Sequence, residues 1–257
     1  MAPLVALVTD FGSRDSYVAE MKARASARVP DVRWLDVSHE IPAFDRMRAA
    51  FVIDRAIAEL PRGSALVAVV DPGVGTVRRR IVVSRRGITL VGPDNGILPT
   101  RDADGVFVID EAKWPRRTGA TTFDGREIFA PIGALLAAGL APALIGPAAG
   151  PCEPWVIPDD AIFVSEPDRQ YARGTVIASD HYGNAVTDIR PPARDGVMEV
   201  LSPQSFAGPV RQAYGEVARG ASLALVGSSG RLELAVREGS ASLANGTPVE
   251  VAWRSRS

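Results

Sequence analysis

Residues 65–70 form an unbroken apolar run, Ala-Leu-Val-Ala-Val-Val, that turn-forming residues cut off abruptly. Such a run predicts a short strand buried on both faces, as in the interior of a parallel sheet. Pro72 cannot donate a ladder hydrogen bond and Gly73 allows unusual backbone angles, so the strand must end in a shaped loop. Asp71 then lies just beyond the carboxyl end of a buried strand, where open α/β sheets bind ligands. The alternative is that Asp71 only caps a turn.

The segments before this strand alternate between strand and helix patterns. Residues 4–9 and 32–37 are predicted strands, and residues 44–60 carry the apolar spacing of an amphipathic helix. Alternation of this kind predicts parallel strands joined by right-handed crossovers. Short strands and one more helix follow residue 80. We therefore predict an N-terminal α/β domain, residues 1–161, with a mostly parallel sheet and flanking helices.

The second part of the chain has a different pattern of apolar and turn-forming residues. From about residue 173 short apolar segments follow one another with turn residues between them, a pattern typical of all-β structure. We predict a C-terminal β-barrel domain, residues 162–257. Its predicted strands span residues 174–179, 197–201, 222–226, 232–236 and 248–253.

Composition excludes several classes of function. The chain has 29 Lys and Arg against 30 Asp and Glu, a net charge of -1, which argues against a nucleic-acid binder that relies on bulk positive charge. The arginines at 78–80 and 85–86 are interpreted as a solvated face. Cys152 is the single cysteine, so no internal disulfide forms, and a reducing, cytoplasmic setting fits. No apolar run approaches the roughly 20 residues that a membrane span needs.

Three carboxylates follow predicted strands of the first domain: Asp10, Asp71 and Asp94. Because parallel strands end along one edge of a sheet, at least two of them can face a common crevice. A carboxylate can accept both hydroxyl protons of a ribose diol. The alternative is ordinary turn formation, for which Asp is a common residue.

Two polar turns stand out in the second domain. Residues 179–184, Ser-Asp-His-Tyr-Gly-Asn, include Asp180, which can hold an ammonium group, and Asn184, which can bind a purine edge through its amide. The alternative is that this run only forms a tight β-turn. Residues 227–230, Gly-Ser-Ser-Gly, form either a turn or a backbone cradle for a carboxylate. With His39 and His181 as the only histidines, a zinc site or a serine hydrolase triad is poorly supported.

Seven stretches occur in order along the chain: Thr-Asp-Phe-Gly (9–12), Asp-Val-Ser-His-Glu-Ile-Pro (36–42), Asp-Pro-Gly-Val-Gly-Thr (71–76), Gly-Pro-Asp-Asn-Gly (92–96), Phe-Ala-Pro (129–131), Asp-His-Tyr-Gly-Asn (180–184) and Gly-Arg-Leu-Glu (230–233). Taken together, they resemble one family along nearly the whole chain, the S-adenosylmethionine hydroxide adenosyltransferases, which are relatives of the fluorinase and the chlorinase.

The resemblance implies a homotrimer whose active sites lie between the N-terminal domain of one subunit and the C-terminal domain of the next. It implies hydrolysis of S-adenosylmethionine to adenosine and L-methionine, with no metal or redox cofactor. By the same resemblance, Asp10 with its neighbour Phe11 binds the ribose, and Asn184 binds adenine. Asp180 pairs with the ammonium group of the methionine moiety, and Ser229 lies near its carboxylate.

The family's catalytic set is Asp-Arg-His, and this chain departs from it. Asp71 and Arg78 match its first two members, but Asp124 stands where the family pattern Thr-Phe-His-Gly-Arg-Asp has its histidine. Two carboxylates beside one water repel, and one pKa rises unless Arg78 bridges them. One possibility is that Asp71 and Asp124 share a proton and both take part in catalysis. The alternative is that the site holds the attacking water poorly, and the chain is then an S-adenosylmethionine- or adenosine-binding protein with little catalysis. Two acids near the nucleophile also disfavour a halide.

Overall fold

The computed structural model describes residues 2–119, 121–158, 161–166, 169–191 and 197–254. The chain separates into two compact units, Met1–Val156 and Ile157–Ser257. The first is a layered α/β unit and the second is built of strands, which confirms the predicted fold class. The domain boundary at residue 161, drawn from the sequence, stays a prediction.

The N-terminal unit contains one mixed sheet with the strand order β2-β1-β3-β5-β4-β6. Strands β1, β2, β3 and β5 are parallel, and β4 runs antiparallel to both of its neighbours. The strands are β1 (Leu4–Thr9), β2 (Arg33–Ser38), β3 (Ala65–Val69), β4 (Arg80–Arg85), β5 (Ile88–Pro93) and β6 (Gly105–Val108), and the α-helices are α1 (Tyr17–Ser26), α2 (Arg46–Glu59) and α3 (Ala130–Ala137).

Strand β3 is apolar throughout because both of its faces are covered. Successive side chains of a strand point to opposite faces. Val67 and Val69 therefore join the core that contains α1 and α3 residues, while Leu66 and Ala68 join the core that contains α2 residues. The apolar side chains of the helices thus cover both faces of β3.

The direction of the strands gathers several polar segments at one edge of this sheet. Strands β1, β3 and β5 end there, followed by Asp10, Asp71 and Asp94. Because β4 is antiparallel to β5, Arg80 at its start pairs with Pro93 at the end of β5. Strand β6 is antiparallel to β4, so the chain leaves β6 toward Glu111 at the same edge. This edge therefore collects carboxylates and arginines from five strands and their loops.

The C-terminal unit is a nearly closed antiparallel sheet in the described residues, with the order β11-β10-β14-β8-β9-β13-β12 and β7 beside β8. The backbone N–H of Arg211, just past β11, donates to Ala224 O of β12 at 2.7 Å and links the two ends of the order. The strands are β7 (Ile162–Glu166), β8 (Arg169–Ser179), β9 (Ala185–Thr187), β10 (Val197–Ser202), β11 (Gly208–Pro209), β12 (Ser222–Val226), β13 (Leu232–Val236) and β14 (Pro248–Arg254).

Among the described residues, no helix combines the length and the apolar character that crossing a bilayer requires.

Candidate active site

The loop after β3 turns the chain back over Asp71. The backbone N–H of Val74 donates to Asp71 O, and Thr76 donates through both its N–H and its hydroxyl to Gly73 O. Gly75 adopts φ +80°, a left-handed conformation that side chains rarely tolerate. These bonds make the loop short and tight, so that Arg78, seven residues after Asp71, returns to contact it.

Asp71 and Arg78 form a two-point ion pair. Nε of Arg78 donates to Oδ1 of Asp71 at 2.9 Å, and Nη2 donates to Oδ2. Both side chains are nearly buried, and the guanidinium also lies 5.6 Å from the ring centroid of Phe129. Burial acts to lower the pKa of Arg78, but the hydrogen bonds and charges of Asp71 and Asp124 outweigh it and raise that pKa. A bidentate pair of this kind fixes the orientation of the carboxylate.

Asp124 is fully buried and lies among three arginines. Its Oδ2 accepts from Nη2 of Arg78 and, at 2.8 Å, from Nε of Arg80, while its Oδ1 accepts from Nη1 of Arg116. Glu111 pairs in turn with Arg80 at 2.6 Å and with Arg116 at 3.5 Å. With Asp71, this ion-pair cluster contains three acids and three arginines.

Arg78 bridges Asp71 and Asp124, and its positive charge offsets the repulsion expected between the two carboxylates. Nη2 of Arg78 contacts one carboxylate oxygen of each residue. Arg80 and Arg116 also contact Asp124, so three guanidinium groups lie against these two carboxylates. The interpretation of residues 78–80 as a solvated face was wrong: Arg80 is only 8% exposed, and all three arginines bind carboxylates.

Asp10 lies at the same sheet edge and is partly exposed. Its Oδ2 accepts a hydrogen bond from the backbone N–H of Phe44 at 2.9 Å. Phe11 beside it packs with Tyr17 and Phe123, the residue before Asp124, with ring centroids 5.4 to 5.7 Å apart. An acceptor next to partly exposed aromatic rings suits a ligand that has both hydroxyls and an apolar face.

His39 holds the end of β1 in place. Its Nδ1 lies 2.9 Å from the hydroxyl of Thr9, and its Nε2 lies 2.9 Å from Oδ1 of Asp36. Its backbone carbonyl accepts from Gly12 at 2.7 Å. These hydrogen bonds of His39 stabilise the loop that carries Asp10.

The carboxylate of Asp94 makes contacts of a different kind from those of Asp10 and Asp71. Its buried carboxylate accepts from Nε of Arg79 at 2.8 Å and from the backbone N–H of Glu153 at 3.0 Å. These bonds attach the segment around Glu153 to the loop after β5. We assign Asp94 a structural role.

In the C-terminal unit, Asp180 and Asn184 are brought together within one loop. Oδ1 of Asp180 accepts from the backbone N–H of Tyr182 at 2.8 Å and of Asn184 at 2.9 Å, which closes the turn. Its Oδ2 accepts from Nδ2 of Asn184 at 2.9 Å. The same Nδ2 donates to the hydroxyl of Tyr214 at 3.1 Å.

Ser229 lies in the tight turn between β12 and β13. Gly230 N–H donates to Gly227 O at 2.9 Å, and Nη1 of Arg190 donates to Ser229 O at 3.0 Å. A Cβ on Gly227 would lie 1.8 Å from the carboxylate of Glu233, so only glycine allows this carboxylate to pack on the turn. The turn places a guanidinium beside Ser229, which suits an anionic ligand group.

Comparison with known proteins places this chain in a family. The family model of the SAM hydroxide adenosyltransferase N-terminal domain matches residues 5–146, and that of the C-terminal domain matches residues 174–254. The chain belongs to the SAM hydroxide adenosyltransferase family. The resemblance read from the sequence is therefore confirmed.

Two curated relatives and one solved structure match this chain over most of their length. A protein of Thermus thermophilus named (R)-S-adenosyl-L-methionine hydrolase is 38% identical, over 96% of this chain and 98% of its own length. One of Salinispora tropica with the same name is 35% identical, over 93% and 92%. A solved structure of an uncharacterized conserved protein from Thermotoga maritima, 29% identical, covers 96% of this chain and 99% of its own with a TM-score of 0.83.

Sequence reasoning missed Arg80 and Arg116, which contact Asp124 in the first unit, and Tyr214, which contacts Asn184 in the second. One feature of the SAM hydroxide adenosyltransferase pattern could have indicated the arginines around Asp124. An acid in place of the family histidine adds a buried negative charge, which requires a nearby cation. This signal predicts that another cation lies near Asp124. It does not identify Arg80 as that cation, because the two residues are 44 positions apart in the sequence.

Glu127, three residues after Asp124, anchors the π-helical turn Gly125–Phe129 that leads into α3. Its buried carboxylate accepts from Arg126 at 2.8 Å, Arg24 at 3.0 Å and the backbone N–H of Arg117 at 2.9 Å. Burial acts to raise the pKa of Glu127, but these hydrogen bonds outweigh it and lower that pKa from 4.5 to about 2. The carboxylate therefore stabilises the fold when ionised.

Replacing Glu127 with Gln is expected to lower the free energy of unfolding at pH 7 by about 3 kcal/mol, the energy equivalent of this pKa shift. Because the folded-state pKa is depressed, the stabilisation is complete above pH 4.5 and is lost as pH falls toward 2. Urea denaturation between pH 7 and pH 3 measures this difference. Glu20→Gln, at the more exposed partner of Arg126, is the matched control and should cost less. A gap between Glu127→Gln and the wild type that does not narrow at low pH would contradict the assignment.

Proposed function

We propose that this protein hydrolyses S-adenosyl-L-methionine to adenosine and L-methionine. The observation that carries the proposal is the fixed pair of Asp71 and Arg78 at the sheet edge where Asp10 also lies. Relatives that bear the name of this hydrolase match almost the whole chain. The site therefore has an oriented carboxylate for water and a second carboxylate for a diol.

The reaction is a substitution at C5′ of the adenosyl group. The oxygen of water forms a bond to C5′ while the bond from C5′ to the sulfonium sulfur breaks. The electron pair of that bond goes to sulfur, which becomes the neutral thioether of methionine. The proton released by water passes to Asp71 and then to solvent. Because the sulfonium is already a good leaving group, the step needs no metal or redox cofactor.

Asp71 is the proposed catalytic residue, since it orients the attacking water and accepts its proton. Arg78 fixes Asp71 through two hydrogen bonds. Asp124 is fully buried and contacts three arginines, whereas the carboxylate of Asp71 pairs with Arg78 and keeps a small exposed fraction. We therefore assign Asp124 a positioning role in which it holds Arg78, and Asp71 the role of contacting the water.

The remaining ligands follow from chemistry and from the family. Asp10 and Phe11 bind the ribose side of the substrate, Asn184 binds adenine, and Asp180 and Ser229 bind the ammonium and carboxylate groups of the methionine moiety. A cytoplasmic homotrimer is part of the proposal. Mass photometry of the purified protein tests the trimer directly.

Chromatography of S-adenosylmethionine incubated with the purified protein tests the activity. Adenosine and methionine in equal amounts, above an enzyme-free control, are the expected products. A parallel incubation in high chloride should give the same products, because a halide near Asp71 meets a like charge. A 5′-chloro product would overturn the choice of water as nucleophile, and absence of any product would overturn the hydrolase assignment.

A further inference from the structure

Two hydrogen bonds connect His39, just past β2, to the loop after β1 that carries Asp10. Nδ1 of its imidazole lies 2.9 Å from the hydroxyl of Thr9, and its carbonyl accepts from the N–H of Gly12 at 2.7 Å. The N–H of Phe11 also donates to the Thr9 hydroxyl, at 3.4 Å. The residues on both sides of the Asp10–Phe11 pair are therefore attached to His39.

The partner on the far side of the ring decides which imidazole nitrogen carries the proton. Nε2 of His39 lies 2.9 Å from Oδ1 of Asp36, whose Oδ2 accepts from Nζ of Lys22 at 2.6 Å. Burial acts to raise the pKa of Asp36, but the hydrogen bonds of Lys22 and His39 outweigh it and lower that pKa. An ionised carboxylate can only accept, so Nε2 donates to it. In the neutral ring, Nδ1 then accepts the proton of the Thr9 hydroxyl.

This acceptor is important for Thr9 because its side chain is fully buried. Within the described ranges of the chain, the Thr9 hydroxyl bonds to His39 and to the N–H of Phe11 and to no other group. A buried polar group that loses its partner is costly, and the structure around it relaxes to find another. The conformation of the loop after β1 therefore depends on the hydrogen bond between Thr9 and His39.

Asp10 is held by the protein through one oxygen. Its Oδ2 accepts from the N–H of Phe44 at 2.9 Å, and no donor from the described part of the chain contacts its Oδ1. We propose that His39 is a positioning residue for ribose binding: through Thr9 it holds Asp10 so that Oδ1 accepts from a ribose hydroxyl. This inference rests on the proposed function, which supplies the ribose.

The positioning role couples a buried hydrogen bond to the diol of the ligand. A hydroxyl that donates to a carboxylate forms a charge-assisted hydrogen bond, and its strength depends on distance and angle. When the bond between Thr9 and His39 is lost, Asp10 shifts relative to the ribose and this contact weakens. A nucleoside that lacks the diol makes no such contact, so its affinity is unchanged by the same loss.

Calorimetric titration of the full-length protein with adenosine and with 2′,3′-dideoxyadenosine tests this inference. We expect the wild type to bind adenosine at least about tenfold more tightly, because hydrogen bonds to a charged group are the stronger ones. In Thr9→Val, which keeps the shape of the side chain and loses the hydroxyl, this ratio should fall about threefold or more. His39→Ala should lower the ratio similarly, and the double variant should lower it no further, since both changes remove one hydrogen bond.

Two controls separate the hydrogen bond from packing and from general damage. Thr9→Ser is the conservative variant: it loses the methyl group and keeps the hydroxyl, so it should retain most of the wild-type ratio. Thr187→Val removes another fully buried threonine hydroxyl, which donates to Leu232 O at 2.8 Å in the C-terminal unit. It should lose stability and keep the ratio.

An unchanged ratio in a folded Thr9→Val, or an equal loss of affinity for both nucleosides, would overturn the inference. A ratio in Thr9→Ser as low as in Thr9→Val would also overturn it, because packing would then be the cause. Circular dichroism establishes that each variant is folded. Equal binding of the two nucleosides by the wild type, or binding of neither, would overturn the inference even if the protein forms adenosine from S-adenosylmethionine. The expected ratios without turnover would support it and overturn the proposed hydrolysis instead.

Discussion

Asp71→Asn is expected to lower the turnover of S-adenosylmethionine by about a hundredfold or more, while the affinity for adenosine stays close to that of the wild type. The amide keeps the shape of the carboxylate and can still accept from Arg78. It cannot accept the proton of the attacking water, and a positioned general base contributes about 10²–10⁴ in rate. Single-turnover assays with saturating substrate isolate this step from product release.

The matched control for this variant is Asp94→Asn. Asp94 also follows a strand of the same sheet and pairs with an arginine, but it lies outside the ion-pair cluster of Asp71 and Asp124. It should lose stability and keep its rate per folded molecule. A similar loss of rate in both variants would show that any disturbance of this sheet edge slows the reaction, and Asp71 would lose its assigned role.

Asp124→His, which restores the family residue, is expected to lower turnover by about tenfold or more instead of raising it. The carboxylate of Asp124 neutralises Arg78, Arg80 and Arg116 in a buried site. A histidine leaves three arginines with two acids, Asp71 and Glu111. Breaking a buried ion pair typically costs about 3–5 kcal/mol, so the free energy of unfolding should fall as well. Arg78 loses a contact that holds it against Asp71.

A second variant separates loss of charge balance from general damage. Arg116→Gln removes one excess positive charge, so the pair Asp124→His with Arg116→Gln should recover stability that Asp124→His alone has lost. Urea denaturation and turnover of all three variants complete a double-mutant cycle. A strong rise in turnover for Asp124→His alone would mean that Asp124 impairs the reaction. It would favour the alternative of a binding protein that has lost efficient catalysis.

The parts of the site that lie close together in the sequence were predictable. The apolar run that forms β3 and the turn after it pointed to Asp71, and the family resemblance pointed to Arg78, seven residues later. Strands β12 and β13 end at the residues predicted, since a turn with two glycines separates two apolar runs. Local backbone chemistry is sufficient in each of these cases.

The contacts that decide the chemistry of Asp124 and Asn184 were not predictable in this way. Arg116 comes from an irregular segment after β6, and no periodicity points it toward Asp124. Tyr214 lies 30 positions from Asn184, beyond β9, β10 and β11. Strand β9 has only three residues, too few to show an alternating pattern, although it fixes where the loop of Asp180 begins and ends. These features depend on tertiary packing, which a single sequence does not display.

The most direct test of the proposed reaction is hydrolysis of S-adenosylmethionine in water enriched in oxygen-18, followed by mass spectrometry of both products. We expect adenosine that carries one heavy oxygen at its 5′ position and methionine that carries none, because the new bond joins water to C5′. Unlabelled adenosine, or a label in methionine, would contradict the proposed reaction.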